Sequence, residues 1–414
     1  MKYKVFWCKV NKYYTDLWLN SDYLKDKSGC FIASCVVTDN AKKKWIKFVK
    51  QELNILKNTQ KIYISWCWAF ERWKENKTFF EIYTDLKEFE NKIEILPEKP
   101  SPLTAFPKSE GKINFKLPKL NLTTKKFLLI QWWCDSFCSF CLTVLKRWKH
   151  FYRSIEDIVD EITEFEMQWG KEVVLTWINL WAWWTNSTND YRNSKFDELL
   201  NYILEKTEIP RIRISSLWPE FINQKVLEIF KNKRIYPHFH LSIQSWSSKV
   251  LSLMKRHYDW EYVENLLDKI NNLKREDNVK ISIWADLIVW FPWETENDFL
   301  QTLALVEKYN ITKLHGFPFS NHNLWESVPA SFFPNQVDEK VKKERINRLI
   351  NIWDKVRNDF ISSQKWCKFE VLIESVKDSK FKWWSENYIE CSSDNFDVIS
   401  GDIKKNEIII WKLT

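Results

Sequence analysis

The sequence predicts an α/β protein of three parts: a small α/β domain, a central partial barrel of six βα units, and a small C-terminal β-barrel. Three observations lead there. Strand and helix patterns alternate six times between residue 126 and about residue 330, which implies a parallel sheet curved into a full or partial barrel with helices outside. Three strand patterns separated by helical ones precede that run. Beyond one long helix, only short strand patterns follow it.

The first unit spans 1–92. "YKVFW", "FIASCVVT" and "KIYIS" read as strands, and the apolar spacing over 41–58 reads as a helix. Residues 93–125 carry five prolines among many lysines and read as a linker. In the second unit, 126–360, the expected strands are 127–131, 172–176, 211–215, 238–243, 280–289 and 312–316. A helix is expected over 154–168, where Ser154 and Asp157 resemble a capping box and Ile155, Ile158, Val159 and Ile162 share one face. A second helix is expected over 338–363. The third unit, 361–414, contains "KFEVLIESV", "ENYIEC", "FDVIS" and "NEIIIWKL", all strand-like.

The totals exclude several classes. No apolar run reaches the ~18 residues of a membrane span. The opening "MKYKVFWCKVNKYY" lacks an apolar signal region, so the cytoplasm is expected. The net charge of +8 is compatible with an anionic partner or with a diffuse basic surface. Nine cysteines in such a chain suggest metal or thiol chemistry rather than a disulfide scaffold.

One total is abnormal. The chain has 26 Trp and 5 Gly, where average usage of ~7% would give about 29 Gly. The Trp excess nearly matches the Gly deficit. "FPWET", "IQSWSS", "ISWCWAF" and "LTWINLWAWW" all place Trp at turn-like points that favour a residue without Cβ. The expectation is that most of these Trp are Gly in the cell. The simplest cause is a variant genetic code in which UGA is read as Gly.

Cys134, Cys138 and Cys141 form C-x3-C-x2-C directly after the first barrel strand, in "IQWWCDSFCSFC". Thiolates at this spacing converge on an iron–sulfur cube, and three ligands leave one iron open. A zinc site with His150 as fourth ligand is the alternative. Strand ends at that face of a barrel are where active sites form. Cys8, Cys35 and Cys67 each end a strand pattern of the first unit, so one sheet edge can gather them.

This arrangement resembles the radical S-adenosylmethionine methylthiotransferase family, over essentially the whole chain. "CKVNKYYTD", "LMKRHY", "LTWINLWAWW" and "HGFPFS" are similar to the branch that modifies N6-threonylcarbamoyladenosine in tRNA. The isopentenyladenosine branch usually shows Cys-Gln-Met-Asn at the first of these. The tail "KWWSENYIEC" resembles the TRAM signature, an RNA-binding barrel, with Lys365, Lys368, Lys380 and Lys382 supplying charge.

The resemblance implies two 4Fe–4S clusters and S-adenosylmethionine. Cys134, Cys138 and Cys141 would hold the radical cluster, and Cys8, Cys35 and Cys67 an auxiliary cluster that presents sulfur. Thr176 and Asn179 follow the second barrel strand, where the family holds the S-adenosylmethionine amino group. Ser215, Gln244, Ser245 and Asp286 are expected at later strand ends, in contact with cofactor or substrate, or in ordinary loop hydrogen bonds. Arg147 and Arg153 are candidates for a carboxylate or phosphate. The implied partners are the tRNA anticodon loop, an electron donor such as flavodoxin or ferredoxin, and a sulfur donor, with no membrane. Cys30, Cys367 and Cys391 read as structural, and the six His as forming no ligand-spaced set, with His238 and His240 facing the barrel interior.

Overall fold

Four parallel strands, β1 (Lys2–Val5), β2 (Gly29–Ala33), β3 (Lys61–Ser65) and β4 (Ile93–Ile95), form the first sheet in chain order. The computed structural model describes residues 1–6, 9–35, 38–65, 78–97, 124–132, 134–142, 151–176, 183–185, 190, 193–321, 327–376, 382–392 and 396–414. Cys8, Cys67, Arg147, His150, Asn179 and Lys380 therefore lie outside the described residues. The fourth strand extends the first sheet past residue 92, into the stretch expected to be linker. Leu96 N–H donates to the Ile64 carbonyl at 2.8 Å, continuing the pairing. Helices α1 (Lys9–Leu19) and α2 (Asp39–Ile55) connect the strands. Thr38 caps α2 by accepting from Ala41 N–H.

The barrel strands fall close to expectation: β5 (Lys125–Leu129), β6 (Glu172–Thr176), β7 (Arg211–Ile214), β8 (His238–Gln244), β9 (Ser282–Val289) and β10 (Ile311–Pro318). They pair in parallel as β5–β6–β7 and β8–β9–β10. Parallel bridges Ile212 to Ile235 and Leu217 to Leu241 tie the two halves together. Among the described residues no pairing joins β10 to β5. The barrel is thus partial, as expected. Strands β6, β7 and β8 are buried almost continuously, as befits parallel strands covered on both faces, whereas β10 at the sheet edge is mostly half-buried.

Outside run α3 (Ile155–Met167), α4 (Phe196–Lys206), α5 (Gln224–Ile229), α6 (Ser248–Leu253), α7 (Trp260–Asn271), α8 (Glu296–Lys308) and α9 (Glu339–Ser362). Ser154 accepts from Asp157 N–H, which is one half of the expected capping box. The tail holds an antiparallel sheet of β11 (Lys368–Leu372), β15 (Ile408–Leu413) and β14 (Phe396–Ser400). A hairpin of β12 (Lys382–Trp384) and β13 (Glu390–Ser392) lies beside it. No helix among the described residues is long and apolar enough to cross a membrane.

Two shared cores position the site. Val10, Tyr13, Tyr14 and Leu17 of α1 bury one face in the barrel core. Each such fully buried side chain contributes about 1.5–3 kcal/mol. In a second cluster, Phe6 and Cys35 of the first domain pack with Leu142, Met254, Ile288 and Phe319 of the barrel. The C-terminal edge of the first sheet therefore meets the C-terminal mouth of the barrel.

Candidate active site

The cysteine loop leaves β5 and is pinned on two sides. Ser139 Oγ donates to the Leu253 carbonyl at 2.7 Å, and Ser139 N–H to the Met254 carbonyl at 3.2 Å. Ala330 N–H donates back to the Ser139 carbonyl at 2.9 Å. Cys141 N–H closes a turn onto the Cys138 carbonyl at 3.0 Å. Phe137 stands in the left-handed region at φ 50° and is exposed. Cys134 and Cys138 are buried, Cys141 is half-buried, and all three are free thiols.

Burial pushes the Cys134 thiol up to about 12, with neighbouring Cys138 adding to it. Burial raises Cys138 as well, opposed by the Arg256 guanidinium. Such thiols need a cation to become thiolates, and an iron cluster supplies one.

Arg256 escaped the sequence reading. It is buried, donates to Cys138 Sγ at 3.6 Å and to the Ser242 carbonyl at 2.8 Å, and lies 3.9 Å from the Trp218 ring. Its only trace in the sequence was the "LMKRHY" resemblance.

A cavity of about 230 Å³ opens beside the loop, lined by Thr38, Phe140, Cys141, Gln244, Asp286 and Phe317 among others. Thr38 lies three residues after Cys35, so one space touches both cysteine regions. Of the other predicted residues, Thr176 ends β6 and Ser215 follows β7. Both are buried, and their hydroxyls have no hydrogen-bond partner among the described residues. Two orphaned hydroxyls near the barrel mouth suit a polar cofactor. Gln244 ends β8 at φ 71° and lines the cavity. Ser245 does not line it; its hydroxyl accepts from Ser247 N–H at 3.3 Å and serves the turn. Asp286 lies inside β9 rather than at its end.

Arg153 is committed elsewhere. It is buried against Glu161 at 2.5 Å and the Leu129 carbonyl at 3.2 Å, so it holds no external carboxylate or phosphate. Cys30 and Cys391 are buried within cores, as a structural role requires, whereas Cys367 is exposed.

The histidines do form a set. His240 Nε2 meets Asp286 Oδ1 at 2.7 Å, and His315 Nδ1 meets the same oxygen at 3.0 Å. The two ring nitrogens are 3.3 Å apart. Residues 240 and 315 are 75 apart in sequence, and pairing of β8–β9–β10 brings them together. Burial alone would push the Asp286 carboxyl up, but His240 and then His315 outweigh it and hold it well below its usual range.

Trp occupies backbone that disfavours it. Trp169, Trp184, Trp290, Trp293 and Trp366 have φ between 62° and 75°, a conformation costing a residue with Cβ roughly 1–2 kcal/mol. In "FPWET", Glu294 N–H donates to the Phe291 carbonyl at 3.0 Å. Pro292 and Trp293 (φ 75°) then stand at the two centres of a type II turn, whose second centre takes Gly. Trp246 and Trp290 are buried, and their indole nitrogens have no hydrogen-bond partner among the described residues.

Six parallel strands carry a three-cysteine loop after the first and orphaned hydroxyls at the ends of the next two. Residues 128–306 match the family described as the Radical SAM superfamily. The chain's relatives are more particular. It is 30% identical over 300 residues to "Threonylcarbamoyladenosine tRNA methylthiotransferase MtaB" of Bacillus subtilis, covering 71% of this chain and 64% of that one. The MtaB protein of Thermotoga maritima is 29% identical, over 84% of this chain and 80% of that one. A "tRNA-2-methylthio-N(6)-dimethylallyladenosine synthase" of Desulforamulus reducens is 31% identical, over 70% of this chain and 58% of that one. The chain thus spans less than two thirds of the first and last of these relatives. Among solved structures, the radical S-adenosylmethionine methyltransferase TsrM of Kitasatospora setae is similar at a TM-score of 0.45 and 12% identity, over 73% of this chain and 64% of that one.

Proposed function

We propose that the chain is a tRNA methylthiotransferase that adds a methylthio group to C2 of N6-threonylcarbamoyladenosine at position 37, beside the anticodon. The observation that carries this reading is the single cavity touching both Cys141 and the segment just after Cys35. A reaction that makes a radical at one cluster and takes sulfur from another needs both beside one substrate position. When bound, the two 4Fe–4S clusters and S-adenosylmethionine supply the radical, the sulfur and the methyl group.

The chain's own residues do the rest. Cys134, Cys138 and Cys141 hold the radical cluster, and Cys8, Cys35 and Cys67 the auxiliary one. Thr176, Asn179 and Ser215 orient S-adenosylmethionine. Gln244 and Asp286 face the substrate base, and the apolar walls, Phe140 and Phe317, exclude water. The C-terminal strands act as a TRAM-like RNA-binding unit. Electron and sulfur donors, of which flavodoxin or ferredoxin is one type, serve the protein in the cytoplasm. The same reading takes most of the Trp, including Trp290 and Trp293, as Gly in the cell; intact mass of the native protein, lower by about 129 Da per exchange, tests it.

Anaerobic reconstitution tests the chemistry. The expected result is about eight iron per chain and, with reductant, 5′-deoxyadenosine from S-adenosylmethionine. Four iron, or no cleavage, contradicts it.

A further inference from the structure

Asp286, His240 and His315 converge on one point from three neighbouring strands. Asp286 and His315 are partners in the β9–β10 register, and His240 reaches them from β8. Asp286 Oδ1, His240 Nε2 and His315 Nδ1 form a triangle with edges of 2.7, 3.0 and 3.3 Å. Adjacent ligands of a tetrahedral zinc ion stand about 3.3 Å apart, each roughly 2.0–2.2 Å from the metal. An ion about 2.1 Å from all three atoms would sit about 1.2 Å out of their plane. The triangle therefore makes one face of a metal site with only a slight opening of its shortest edge.

Two of the three groups are also held from behind. Ser216 Oγ meets His240 Nδ1 at 3.2 Å, and the Ser242 hydroxyl donates to Asp286 Oδ2 at 3.2 Å. Outer bonds of this kind orient metal ligands. With Nδ1 donating to Ser216, His240 presents the Nε2 lone pair to the ion, while Asp286 keeps Oδ1 for it. The alternative is a proton on each ring, both donated to the one oxygen. His240 is buried and His315 half-buried, so the point has a closed side and an open one. Lys9 is within electrostatic reach of Asp286 and opposes a further cation, but it forms no ion pair with that carboxylate among the described residues. None of the five residues is Trp, so the site does not depend on how the Trp codons are read.

We infer that Asp286, His240 and His315 hold a single zinc ion, separate from the two proposed clusters. Two imidazoles and one carboxylate suit zinc or another late first-row ion, whereas magnesium and calcium take oxygen ligands. Three protein ligands leave a further position open. Asp286 also lines the cavity that touches Cys141, so the ion stands at the edge of that space. Its open position takes water or an oxygen atom of the molecule bound there. Ligands carried on three paired strands are fixed by the sheet rather than by a loop.

The test uses the full chain, reconstituted with iron and sulfide so that cysteines are occupied, then dialysed anaerobically against zinc alone. Zinc displaces ferrous iron from such a site. The wild type is expected to retain about one zinc per chain, with nitrogen and oxygen neighbours near ~2.0 Å and no sulfur near ~2.3 Å in its X-ray absorption spectrum. His315→Phe and Asp286→Asn should weaken zinc binding at least a hundredfold. Ser216→Ala, which removes only an outer bond, should weaken it about tenfold, and Cys367→Ser should leave it unchanged. Iron content and the unfolding midpoint show whether each variant is folded. A wild type that retains no zinc, sulfur in the zinc shell, or undiminished binding by His315→Phe overturns the inference. Should His315→Phe not fold, undiminished binding by Ser216→Ala overturns it. A chain that binds zinc at these residues but cleaves no S-adenosylmethionine defeats the functional reading and leaves the inference standing.

Discussion

Trp169 shows what one residue reveals about this gene. Its N–H donates to the Glu166 carbonyl at 2.8 Å, and Gly170 N–H to the Phe165 carbonyl at 2.9 Å. That pair of bonds ends α3 in a Schellman motif, with Trp169 at the left-handed position that Gly normally takes. Trp169 is 77% exposed, so its ring packs on little. Trp169→Gly should therefore raise stability by about 1 kcal/mol, read as a higher urea midpoint at unchanged slope. A lower midpoint contradicts the strain argument. Trp290 is a poorer test, because it is buried and its removal also leaves a cavity. At the same scale, Arg256 donates to Cys138 Sγ, the sulfur proposed to hold the radical cluster, and such bonds raise cluster potentials. Arg256→Gln should lower the midpoint potential of the radical cluster in an EPR-monitored titration; an unchanged potential would leave Arg256 a packing residue.

At the scale of elements, the barrel strands were legible because parallel strands buried on both faces leave short apolar runs between helical patterns. The strand β4 was not, since three residues directly before a proline-rich stretch give too short a pattern to read. The turn "FPWET" joins β9 to α8 and places Glu294 under Trp290 N–H at 2.7 Å and beside Arg345 at 3.2 Å. Burial pushes the Glu294 carboxyl up to about 7, against those two partners. A raised carboxyl binds more protons folded than unfolded between its ordinary value of 4.5 and about 7. Its contribution to stability is thus full below that window and is lost as pH rises through it. Glu294→Gln should flatten this part of the stability–pH curve; a slope identical to wild type would contradict the assignment.

Across the whole molecule, Cys134, Cys138 and Cys141 could be singled out as a group because they share one loop. Asp286, His240 and His315 were not readable as a set, because only the register of three strands brings them together. Ser245 and Arg153 could not be assigned from sequence for a related reason: a polar residue near a strand end looks the same whether it serves a turn, an ion pair or a ligand. The two-cluster account predicts that Cys134→Ala retains about four of eight iron and loses S-adenosylmethionine cleavage. Loss of all iron would show that the chain loads its clusters as one unit. The most direct test is nucleoside mass spectrometry of tRNA. The host should make N6-threonylcarbamoyladenosine but not methylthiolate it, and should express this chain with Gly at the Trp positions of the turn motifs. The account predicts a new 2-methylthio derivative of that nucleoside. Its absence, with S-adenosylmethionine cleavage intact, or a methylthio group on isopentenyladenosine instead, would contradict it.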